Sequence, residues 1–129
     1  MREFPAGRVK AVPPYAELWQ PLTEEPSFVL RAMFGSKAVY LDGLLMLCFS
    51  AAEEPWRGIL VCTDRPHHAS LRAEFSILVP HPVLGKWLYL SESEDAFERV
   101  ADRLVQAVRR GDPRIGVVPK ARKRTPRSR

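Results

Sequence analysis

The chain has no uninterrupted apolar run approaching the ~18–20 residues needed to cross a bilayer. Its opening stretch, MREFPAGRVKAVPPY, also lacks the apolar core of ~7–15 residues found in a secretory signal. A cytoplasmic location is therefore expected. Cysteine is scarce: Cys48 and Cys62 are the two in the chain, each within an apolar, strand-like run. Cysteine in such a setting usually behaves as a small buried hydrophobe, and a chain of this size in a reducing compartment does not keep a disulfide. If their strands are neighbours the thiols lie close together, which does not by itself make a redox pair. Histidine is scarce too. His67-His68 are adjacent, so they diverge, and His81 stands alone; no His-x-x-x-His or Cys-x-x-Cys spacing sets two ligands on one face. No metal is expected, and the histidines read as surface or loop residues.

Motifs for catalysis are missing as well. Cys62, Asp64 and His67 are the groups from which a nucleophile and base could be drawn, but no nucleophile elbow, glycine-rich phosphate loop or paired acidic motif accompanies them. Gly35 and Gly43 stand eight residues apart and do not form a G-x-G-x-x-G loop. Neither a catalytic residue nor a cofactor is expected.

What is present suits a single domain. The 129 residues, 46% hydrophobic and 27% charged, are enough to bury a core without disulfides or a structural metal. The 12 prolines concentrate in connections. Charge is uneven: Lys120, Arg122, Lys123, Arg124, Arg127 and Arg129 stand with no acid among residues 120–129, leaving 14 basic against 15 acidic residues in the rest. The division expected is a loose arm at 1–12, a domain at 13–118 and a basic, disordered tail at 119–129. Such a tail is a candidate polyanion contact, giving salt-sensitive attraction to nucleic acid.

The strongest local signal is the apolar pair of runs Ala38 to Leu41 and Leu44 to Phe49, joined by Asp42-Gly43. Those two residue types tolerate the positive φ angles of a two-residue hairpin turn. A hairpin this apolar needs a larger sheet with at least one face covered. Around it the chain predicts a short helix at Tyr15 to Gln20, a further turn at Leu22 to Glu25, and strands at Ser27 to Phe34, Gly58 to Thr63 and Lys86 to Leu90. His67 to Phe75 reads as a short helix with Ala69, Leu71, Ala73 and Phe75 as buried positions, and Ile77 to Gly85 as an irregular connection. The last helix carries Phe97, Val100, Ala101, Leu104, Val105 and Val108 at helical spacing. Ser93 is its expected N-cap, with Glu94 and Asp95 in the first turn, Arg109 and Arg110 in the last, and Gly111 as the stop. Short links between strands imply antiparallel pairing in chain order.

The stretch Met33-Phe34-Gly35, the strand after it and Asp42-Gly43 resemble the TfoX (Sxy) N-terminal domain family, whose members open on a similar Met-Phe-Gly signature, a strand and an Asp-Gly or Asn-Gly turn. The likeness runs more loosely over Arg31 to Arg110. It implies an α+β fold in two layers, an antiparallel sheet with helices packed on it, with the YjbR-like fold as structural neighbour. Neither family is known as a class of enzymes. The resemblance fits a regulatory or protein-interaction module, its surface an exposed sheet edge or the connections beside the hairpin, with self-association by strand pairing as a further option.

Trp56 and Arg57, in Glu53-Glu54-Pro55-Trp56-Arg57, are the candidate partner contact, an indole beside a guanidinium. The competing reading folds Trp56 back over the sheet. Met33, Phe34 and Met46 read as core, and Trp87 as part of a core strand. Two other functions stay open: nucleic-acid association through the tail, and a small-molecule site between sheet and helices.

Overall fold

The computed structural model describes residues 15–33 and 36–119. The expected arm at 1–12, Phe34 and Gly35 of the motif, and the basic residues from Lys120 to Arg129 lie outside the described residues.

The hairpin lies within the sheet, one strand in from its edge. β2 (Ser36–Leu41) and β3 (Leu44–Ala51) pair antiparallel. Asp42 and Gly43 between them take φ of 53° and 79°, the left-handed pair whose twist matches the flanking strands. The Asp42 amide donates to Ser27 Oγ at 2.9 Å, tying the turn to the segment before β1 (Val29–Met33). β1 pairs with β2 up to Met33 opposite Ser36. β4 (Arg57–Val61) pairs with β3, and β6 (Leu88–Ser91) with β4. β5 (Val79–Pro80) closes the far edge, giving the order β1-β2-β3-β4-β6-β5 with every pair antiparallel. The fold is α+β in two layers. β5 falls inside the stretch expected to be irregular. It is two residues long and ends in proline, which an edge strand tolerates because the missing N–H faces outward.

Side-chain alternation splits the sheet into two faces. Val39, Leu47, Phe49, Ile59, Val61, Leu88 and Leu90 belong to the larger buried cluster; Ala38, Cys48, Leu60, Cys62 and Tyr89 belong to a second. A bulge adjusts β3: Val39 faces Leu47 but Tyr40 faces Leu45, so Met46 is extra. Met46 and Leu47 therefore both join the larger cluster, while Leu45 goes to the second.

The larger cluster is covered by helices. α3 (Phe97–Arg109) buries the whole expected stripe, and Ala107 besides. Each large aliphatic or aromatic side chain so buried contributes roughly 1.5–3 kcal/mol. α1 (Ala16–Trp19) packs beside α3, and the fully buried Tyr15 just before it sets its ring 5.6 Å from Phe97 and 6.4 Å from Phe49. α2 (His68–Glu74) inserts Leu71, and Phe75 follows it into the core. Ala69 and Ala73, expected to be buried, are exposed: they fall on the opposite side of the helix from Leu71.

α3 begins later than its sequence suggests. Its N-cap is Ala96, without a side-chain cap bond, and Glu98 is the acid of its first turn. Ser93 instead bonds Ser91: the two hydroxyls lie 2.8 Å apart and the Ser93 amide donates to Ser91 Oγ at 3.1 Å. That local turn competes with helix for the serine. The far end stops at Gly111, φ 78°, where the Gly111 amide bonds the Val108 carbonyl and the Asp112 amide bonds that of Ala107. The two bonds make a Schellman cap. No helix among the described residues is long and apolar enough to cross a membrane.

Candidate functional site

Among the described residues no helix packs on the second face of the sheet. Its middle is small: Ala38 and Cys48 lie opposite each other, with Arg31, Leu60 and Tyr89 continuing the row. Two segments border it. One is the loop 81–87 leading into β6; the other is 115–119, which follows the end of α3.

Each segment is held from below. Gly116 donates to the Cys62 carbonyl at 2.8 Å, Leu45 and Val117 exchange backbone bonds at 2.9 and 3.0 Å, and Thr63 Oγ1 donates to the Arg114 carbonyl at 2.5 Å. Arg114 is itself clamped, reaching Asp112 and Glu74 at 2.6 Å each and Ser70 Oγ at 3.0 Å. That pairing holds the Asp112 carboxyl below the ordinary carboxylate range. The loop 81–87 is pinned by His81, a surface or loop residue in the sequence reading. It is a loop residue, but its ring is buried. The ring lies 4.2 Å from that of Trp56 and 5.3 Å from that of Tyr89. Nδ1 accepts from the amides of Val83 and Leu84 at 3.0 Å each, leaving the proton on Nε2, which donates to the Pro55 carbonyl at 2.7 Å. Burial lowers the His81 pKa from its ordinary value of 6.5, while the bond to Pro55 acts in the opposite sense. The ring is neutral and structural.

Between β1, the hairpin and these two segments runs a half-open groove of about 1380 Å³. Tyr40, Leu45, Leu84, Trp87 and Val117 line it and also pack on the second cluster. Among the described residues four large hydrophobic side chains are exposed, and three of them, Val29 (43%), Val83 (65%) and Val118 (79%), line this groove. Among the described residues, its charged lining is Arg31, Arg65 and Lys86, with Asp64 the one acid. The Arg31 guanidinium stands 5.7 Å from the Tyr40 ring centroid.

Trp56 and Arg57 lie elsewhere, in a polar network at the β3–β4 connection. Trp56 is half-buried against His81. Arg57 pairs with Glu92 at 2.5 Å and donates to the Ala51 carbonyl at 2.9 Å. The Tyr89 hydroxyl has one proton for two acceptors, Glu54 Oε1 at 2.6 Å and the Arg57 carbonyl at 2.7 Å, and accepts from the Arg57 amide at 2.9 Å. Burial and the Glu54 carboxylate push its pKa up. The Tyr15 hydroxyl is buried and has no hydrogen-bond partner among the described residues; burial, with Glu92 nearby, pushes its pKa up to about 12.

The residues from which catalysis could be drawn do not converge. Cys62 is wholly buried, its thiol pushed well up by burial beside Cys48, whereas Asp64 is exposed. A thiol so raised is a poor nucleophile. His67 is half-buried, and His68 Nε2 lies 2.9 Å from the Lys86 carbonyl. No group of three His, Cys, Asp or Glu among the described residues is placed to hold a metal ion. Of the motif residues, Asp42 and Gly43 serve the hairpin turn and Met33 closes β1.

No family model matches the chain, and neither a curated protein nor a solved structure matches it.

Proposed function

We propose that this chain is a non-enzymatic, cytoplasmic interaction module of the TfoX N-terminal type, which receives a protein partner in the groove on the second face of its sheet. The observation that carries this is the gathering of Val29, Val83 and Val118 at one place. Scattered exposed aliphatics are normal on a soluble domain, but a cluster in a concavity is a contact surface. The groove suits a macromolecular segment better than a small ligand, because small-molecule sites are enclosed and commonly ~300–1,000 Å³. The two-layer antiparallel fold agrees with what the resemblance implies, and the two free buried thiols suit a reducing compartment.

The test is affinity capture from the native host with the wild type and with Val83→Asp. Val83 is mostly exposed, so the change leaves the fold intact while placing a charge in the groove. A recurrent partner lost with Val83→Asp supports the proposal, and a partner retained undiminished refutes it. A second reading, nucleic-acid association, is supported by the six cations between Lys120 and Arg129. It predicts binding with a steep salt dependence that disappears when 120–129 are removed.

A further inference from the structure

We propose that the occupant of the groove is a segment of the partner in which carboxylates are interleaved with aliphatic side chains. This rests on the groove being the contact surface and adds the chemistry it selects. Three cations, Arg31, Arg65 and Lys86, stand around it against the single carboxylate of Asp64. Among the described residues none of the three has a carboxylate within ion-pair distance, although Arg57, Arg103, Arg109 and Arg114 are all paired. Among its described lining residues the groove therefore combines a net positive charge with exposed aliphatic surface. The two are interleaved: Val29 and Arg31 project from the same side of β1, and Val83 and Lys86 share one loop.

Three other occupants fit less well. Residues 120–129 of the chain itself carry six cations and no acid, the wrong charge for a groove lined by Arg31, Arg65 and Lys86. Nucleic acid needs ring faces on which bases stack; the Tyr40 ring carries Arg31, Trp87 is half-buried, and the exposed groups are valines. A second copy pairing through β1 over its full length would centre on Arg31, setting that residue against its own counterpart, and like charges directly opposite are destabilising. An incoming carboxylate meets the opposite situation.

The test uses the full chain and three probes: a Ser-spaced Val/Glu peptide, its Val/Lys counterpart and a single-stranded DNA oligonucleotide, followed by fluorescence anisotropy at low and high salt. The Val/Glu peptide should bind roughly tenfold or more tightly than the Val/Lys peptide, and less tightly as salt rises. The double variant Arg65→Glu/Lys86→Glu, both positions exposed, should lose about tenfold or more for Val/Glu and reverse the preference. Thermal melts overlapping the wild type's confirm that the variant is folded. Equal affinity for the two peptides, no binding of either, indifference to the charge reversal, or tighter binding of DNA lost in the same variant would each overturn the proposal. If capture from the host remains sensitive to Val83→Asp while the peptides fail, the acidic chemistry is wrong and the contact surface stands. If capture ignores Val83→Asp, the contact surface itself is wrong.

Discussion

Replacing His81 tests whether the wall of the groove is held from within. In His81→Ala the Pro55 carbonyl and the amides of Val83 and Leu84 lose their partner, and the space between the rings of Trp56 and Tyr89 empties. Val83 as a residue is mostly exposed, so its amide adds little to the cost. Two orphaned, part-buried groups at ~1–3 kcal/mol each, with the lost ring contacts, give a destabilisation of about 3–6 kcal/mol. At ~4–8 °C per kcal/mol for a domain near this size, the melting temperature should fall by more than about 12 °C. The effect also depends on pH, with a definite sign. The folded state holds the ring neutral, so on acidification the unfolded chain takes up the proton first. The stability His81 contributes is complete above its ordinary value of 6.5 and is lost as pH falls from there toward the lowered folded value. Urea denaturation of the wild type and His81→Ala, above and below pH 6.5, isolates this histidine from His67 and His68. The gap between the two proteins should shrink on acidification, and nitrogen NMR of the ring should show the proton on Nε2. A loss under about 1 kcal/mol, or a ring that titrates at or above 6.5 with its proton on Nδ1, would refute the reasoning.

Other perturbations follow from the same geometry. Gly58 takes φ 137°, and a Cβ there would lie 2.2 Å from the Leu90 carbonyl oxygen, backbone that no rotamer change relieves. Gly58→Ala should cost more than about 3 kcal/mol, whereas Gly43→Ala, at φ 79° with open space around it, should cost only about 1; equal denaturation midpoints would contradict both assignments. Cys48 lies opposite Leu60, and Cys62 bonds back to Met46, so the two cysteines are diagonal neighbours. Their Cα atoms should be about 7–8 Å apart, beyond ordinary disulfide reach. Mild oxidation of the native protein should give no intrachain bridge by mass spectrometry, and thiol reagents should label it only as fast as it opens. Leu104→Ala, at a wholly buried position in α3, should destabilise by about 2–5 kcal/mol in the same denaturation assay.

The elements legible in the sequence are those whose signal is local. Asp42-Gly43 announces its turn through residue type alone, and Phe97 to Val108 announces a buried helix face through spacing alone. Ser93 misled because a serine before an acidic pair serves a cap or a turn equally well, and Ser91 two residues earlier decides for the turn. β5 was too short to carry any period. The loop position of His81 is legible but its burial is not, because its partners, Pro55, Trp56 and Tyr89, are distant in the chain and leave no spacing to read. The groove was invisible for the same reason: Val29, Asp64, Val83 and Val118 come from four separate segments, and none of them forms a motif.

A photo-crosslinking residue in place of Val83, compared in the native host with one in place of the exposed Asp102 on α3, reads the contact surface most directly. A recurrent protein adduct is expected at position 83 and none at 102. The same adduct at 102, or nucleic acid in place of protein at 83, would contradict that expectation.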